Sequence, residues 1–99
     1  MMSEKETKTR GEAKSVFYDL FEPEIAQNLT IRAQLMRELE QVLKARFKTQ
    51  GEAAAFLGVS QARISDLYRG KIQLFTIDML VNFLVKTGQQ LTVTVQKAA

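Results

Sequence analysis

Helix punctuation between Lys48 and Lys71 constrains this chain more than any other feature of its sequence. Thr49-Gln50-Gly51-Glu52 has the S/T-x-x-E form of a capping box, in which Thr49 accepts from a first-turn N–H while Glu52 reaches back. The helix that starts there is short, because Gly58 is placed to adopt the left-handed conformation that ends helices. Ser60 supplies a second N-cap, and Gly70 stops the helix it opens. Two short helices are therefore joined by a tight turn. Such a pair needs a small residue on the first helix, an apolar turn residue and apolar inward positions on the second, met here by Ala54, Val59, Ile64 and Leu67. Gln61, Ala62, Ser65, Asp66 and Arg69 are left on the outward side.

The flanks extend this unit in both directions. Residues 1–14 are polar and charged without apolar period and read as a flexible tail, leaving 15–97 as a single domain. From Ser15 to Pro23 the chain concentrates aromatics (Phe17, Tyr18, Phe21) in a stretch too short to fold alone. Pro23 opens a helix to about Phe47, with a candidate break at 28–30 and an apolar stripe of Ile31, Leu35, Leu39, Val42 and Leu43. Thr76 caps a fourth helix, whose stripe Ile77, Leu80, Val81, Leu84 and Val85 is expected to be core, with Gly88 at its exit. Across 90–96 the period switches to two, Leu91, Val93 and Val95 alternating with Thr92, Thr94 and Gln96, as in a half-buried strand. The expected class is mainly α, four to five helices followed by one strand. A lone strand has unmet edge hydrogen bonds, so antiparallel pairing with a second copy predicts a homodimer, with Leu91, Val93 and Val95 as dimerisation residues. Pairing with 15–21 of the same chain is the alternative. Phe56, outward on the first short helix, is expected to cover the aromatic segment 17–21, the alternative being a partner contact.

Composition narrows the function classes. A chain of 99 residues with 45% apolar residues forms one folded core. Cysteine and histidine are both absent, which removes thiol nucleophiles, thiolate and imidazole metal sites and triad hydrolysis; no cofactor, no metal and no enzymatic activity are expected. The Glu22/Glu24 and Glu38/Glu40 pairs point to different helix faces and read as solvated charge. No apolar run reaches the roughly 18–20 residues of a membrane span and the polar start does not resemble a signal peptide, so a cytoplasmic protein is expected. Between Lys44 and Lys71 six basic residues face two acids, a net +4 in a chain of net +3, so the positive excess is central.

Thr49-Gln50, Ala54 to Ser60 (A-A-F-L-G-V-S) and Gln61 to Gly70 (Q-A-R-I-S-D-L-Y-R-G) together resemble the helix-turn-helix of the Xre and phage-repressor family, in particular small HigA-like antitoxins. The resemblance covers about Ser15 to Gln96. It implies a lambda-repressor-like domain with a C-terminal dimerisation strand, and a sequence-specific regulator, a repressor, acting as a homodimer on a palindromic operator in double-stranded DNA. It further implies that Gln61, Ala62, Ser65 and Arg63 contact bases and that Gln50, Ser60, Arg69, Lys71 and Lys48 contact phosphate. Taken singly these residues are caps or solvated positions; their joint spacing carries the reading. The alternative implied is an antitoxin that neutralises a small toxin protein and autoregulates its operon, residues 1–22 being the first candidates for toxin contact. A purely structural dimerisation module would leave the central basic excess without a role.

Overall fold

The computed structural model describes Phe17 and residues 19–98; the expected tail, 1–14, lies outside the described residues, as do Ser15, Val16, Tyr18 and Ala99. From Pro23 on, four α-helices follow in order: α1 (Pro23–Arg46), α2 (Gln50–Leu57), α3 (Gln61–Tyr68) and α4 (Ile77–Lys86), with a 3-10 turn at Ile72–Leu74 between the last two. Phe17, Asp19 and Leu20 are helical and precede α1.

Pro23 stands in the first turn of α1, where its missing N–H costs nothing. The candidate break at 28–30 does not occur: Thr30 donates its hydroxyl to the Ala26 carbonyl at 2.8 Å, so its polar group is met inside an unbroken helix. The buried line of α1 is Ala26, Met36, Leu39 and Leu43, while Ile31, expected in the stripe, is 36% exposed. α1 packs chiefly against α4, and α2 against α3.

The punctuation of the short helices forms as the sequence predicts. Thr49 Oγ1 accepts from the Glu52 N–H at 3.1 Å, and Glu52 Oε1 accepts from the Lys48 and Thr49 N–H groups at 2.9 and 3.4 Å. Gly58 caps α2 with φ 75°, a conformation in which a Cβ would crowd the following carbonyl. Ser60 Oγ accepts from the Arg63 N–H at 3.1 Å, and Thr76 Oγ1 from the Met79 N–H at 3.1 Å.

All four helices contribute to one core, in which Leu39, Leu43, Ala53, Ala54, Leu57, Ile64, Leu67, Leu80 and Leu84 are buried. Phe75, 1% exposed, joins them from the loop before α4, where no periodic pattern announces it. The expected stripe of α4 narrows to Leu80 and Leu84 with Ile77 and Val81 half-buried; Val85 is 56% exposed, because it lies about 100° around the helix from Leu84.

The expected C-terminal strand is corrected for the single chain. Among the described residues there is no strand: 91–98 carry no regular structure, and Phe17, Asp19 and Leu20 are helical and form no strand pair with them. A strand exists only by pairing, and the described residues offer this segment no edge. Leu91 packs half-buried on the core, whereas Val93 and Val95 are 85% and 90% exposed.

Candidate nucleic-acid interface

The outer face of α3 is defined by what its inner face does. Ile64 (2% exposed) and Leu67 (3%) seat in the core beside α2, each burial contributing about 1.5–3 kcal/mol and together fixing the rotation of this eight-residue helix. Gln61, Ala62 and Arg69 are consequently exposed, and Ser65 and Asp66 are half-exposed. The Gln61 side chain lies along the first turn of α2: a Cβ added to Gly51 would stand 3.8 Å from Gln61 Oε1. The starts of α2 and α3, with half-buried Gln50 on the former, thus share one surface. Ser60 accepts as a cap but keeps its hydroxyl proton for an outside acceptor.

The central cations divide into two groups. Lys44 pairs with Glu40 at 2.7 Å and lies 4.8 Å from the Tyr68 ring centroid. The hydrogen bond Lys44 donates to the Glu40 carboxylate, more than the opposing effect of desolvation, raises its ammonium above the ordinary pKa. Burial raises the Tyr68 hydroxyl, with Lys44 opposing and Glu40 adding to that shift. Arg46 donates to the Thr87 carbonyl at 3.0 Å and covers the Phe56 ring at 4.5 Å. Lys71 is 3.7 Å from Asp66 in an exposed, weak ion pair. Lys48 and Arg69 are exposed and make no side-chain ion pair with another described residue. The basic excess read from the sequence therefore overstates the charge free to meet phosphate.

Arg63 and Arg32 act on the turn that leaves α3. Arg63 Nη1 donates to the Leu74 carbonyl at 3.0 Å, with its guanidinium 5.6 Å from the Phe75 ring centroid. Arg32 Nη1 donates to the Ile72 and Phe75 carbonyls, both at 3.2 Å, and its Nε donates to Asn28 Oδ1 at 2.8 Å. Three carbonyls of residues 72–75 are thus held by guanidinium groups from α1 and α3, which positions the segment carrying Lys71. The base-reading expectation for Arg63 meets this directly: its guanidinium is engaged with its own chain and must leave Leu74 to reach a base. Arg32 escaped the sequence reading, since its partners lie 40 and 43 residues away and no local pattern marks them.

Phe56 finds a different ring from the one expected among the described residues of 17–21. It packs on Phe47, ring centroids 5.2 Å apart, under the Arg46 guanidinium, because the loop from α1 to α2 returns Phe47 alongside it. No helix among the described residues is long and apolar enough to cross a membrane.

Two short capped helices joined by a glycine turn, the second with an apolar inner face and a polar outer face flanked by cations, define a helix-turn-helix protein. The sequence profile of a family described as a helix-turn-helix domain matches residues 16–96, and the chain belongs to that family. Comparisons with curated proteins and with solved structures return no match.

Proposed function

We propose that the protein is a DNA-binding regulator of the Xre and phage-repressor kind that acts in the cytoplasm as a homodimeric repressor. The observation that carries this reading is the exposed row Gln61, Ala62 and Arg69, with Ser65 beside it, on a helix whose opposite face is fixed in the core. Laid in the major groove, Gln61 pairs best with adenine, Ala62 meets a thymine methyl and Ser65 a base edge. Gln50, Ser60, Lys48, Arg69 and Lys71 hold phosphate; Lys71 exchanges its weak contact with Asp66 for one. Arg63 stays on Leu74 and supports the turn. The exposed Val93 and Val95, continuing from half-buried Leu91, favour strand pairing with a second copy, which places two recognition helices about 34–36 Å apart.

Selection from a random duplex pool tests this. The expected product is a palindrome with half-sites about 10–10.5 base pairs apart. With three cations per protomer on phosphate, log affinity should fall against log salt with a slope of roughly −5. Val93→Lys with Val95→Lys should give a folded monomer by sedimentation and lose the palindrome preference. A pool that enriches nothing at low salt refutes the reading.

A second reading has its own observation. Leu20, Phe21 and Ile25 are 69%, 44% and 45% exposed, and Asp19, Glu22 and Glu24 flank them, an apolar patch with acidic edges suited to a basic protein. This favours an antitoxin role in which the patch holds a small basic toxin while α3 represses the operon. Co-expression with the adjacent reading frame checks it: a complex lost on Phe21→Asp supports the role, and a complex indifferent to that change refutes this surface.

A further inference from the structure

A cavity of about 350 Å³ lies between α1 and the end of α3, at the lower limit of volumes that hold small molecules. Its wall is apolar, formed by Phe17, Ala33, Met36, Leu67 and Ile72. Two charged side chains line it, and they differ. Glu40 is neutralised by Lys44 at 2.7 Å, whereas Arg37 is exposed and makes no ion pair with another described residue. The net charge offered to an occupant is therefore positive and comes from one guanidinium, whose planar fork fits a carboxylate.

We propose that this cavity binds a small apolar carboxylic acid, its hydrocarbon body against Phe17, Met36 and Ile72 and its carboxylate on Arg37. A neutral apolar molecule leaves Arg37 unpaired, and an amine meets it with like charge. The volume fits one aromatic ring with a short acid arm. Gly70 and Ile72 belong to the turn that carries Arg69 and Lys71 past the recognition helix, so an occupant adds packing beneath the segment expected to hold phosphate. Occupancy then tightens DNA binding, and DNA tightens acid binding by the same factor. This second part rests on the DNA-binding reading above; the acid site itself does not.

The test uses the full chain and 3-phenylpropionate, with 3-phenylpropionamide as the uncharged isostere, in calorimetry and methyl NMR without DNA. The acid should bind and shift the Leu67 and Ile72 methyl signals. Arg37→Gln, a change at an exposed position, should weaken it about two- to fivefold, to the affinity of the amide, which should bind both proteins alike. Ala33→Leu should fill the cavity and abolish binding while the chain stays folded by circular dichroism. No binding of the acid to the native chain, or equal binding of acid and amide, overturns the site. Once the site is established, saturating acid should raise the affinity for selected DNA in the native chain but not in Arg37→Gln. An unchanged DNA affinity overturns the coupling alone, and a chain that binds acid but no DNA refutes the DNA-binding reading.

Discussion

Replacing Arg32 by alanine should cost the fold about as much stability as a buried methyl group or two, although its partners lie 40 and 43 residues away along the chain. Its Nη1 is shared between the Ile72 and Phe75 carbonyls, both at 3.2 Å, long for bonds from a charged donor. Hydrogen bonds to charged groups contribute about 1.5–3 kcal/mol each, and sharing one donor at partial exposure brings this pair to about 2 kcal/mol. The exposed bond from Nε to Asn28 contributes about 0.5 kcal/mol or less. A domain of this size loses about 4–8 °C of melting temperature per kcal/mol, so Arg32→Ala should melt about 8–16 °C below the native chain. Thermal unfolding by far-ultraviolet circular dichroism measures it, with Asn28→Ala as the control that removes only the exposed bond and should shift melting by about 4 °C or less. Arg32→Lys restores one donor without the fork and should fall between. If Arg32→Ala melts together with Asn28→Ala, the carbonyls of the turn are met by water and the guanidinium does not hold it.

Gly58→Ala isolates a backbone cost: at φ 75° only Lys86 Nζ approaches an added Cβ, at 3.8 Å, so the loss should be about 1–2 kcal/mol in urea unfolding with an unchanged slope. Tyr68 titrates above its ordinary 10.0 because it is partly buried, so the folded chain keeps a proton the unfolded chain has lost. Its stabilisation is complete below pH about 10 and lost as pH rises through the folded value. Melting temperature should therefore fall on the alkaline side more steeply in the native chain than in Tyr68→Phe; equal slopes refute the burial argument. Lys44 acts in the same direction and window and leaves a shallower fall in the Tyr68 variant.

What was legible in the sequence is what local physics decides. Thr49, Glu52, Gly58, Ser60 and Thr76 act on groups within four residues of themselves, so their spacing alone located three helix starts and the turn. Ile64 and Leu67 were legible for the same reason, being inward positions of a helix with known ends. Long-range decisions were not legible. Phe75 reaches the core from a loop without periodicity, Val85 shares the pattern of α4 but not its contact with α1, and Phe56 found Phe47 rather than residues 17–21. The distribution of free charge was not legible either, since Lys44, Arg46 and Arg63 count as part of a central basic excess in sequence and serve Glu40, Thr87 and Leu74 in the fold. The alternation at 91–96 marks a residue pattern fit for a strand, but pairing needs an edge that the described residues do not provide.

The most direct measurement compares the native chain, Gln61→Ala and Arg69→Ala on a selected operator and on unrelated duplex across a salt series. With Gln61 reading a base and Arg69 holding phosphate, Gln61→Ala should lose about 1–3 kcal/mol of preference per half-site and keep the native salt slope. Arg69→Ala should weaken both duplexes alike and lower the slope by about 1 per protomer. Native preference and native slope in both variants would contradict the placement of α3 in the major groove.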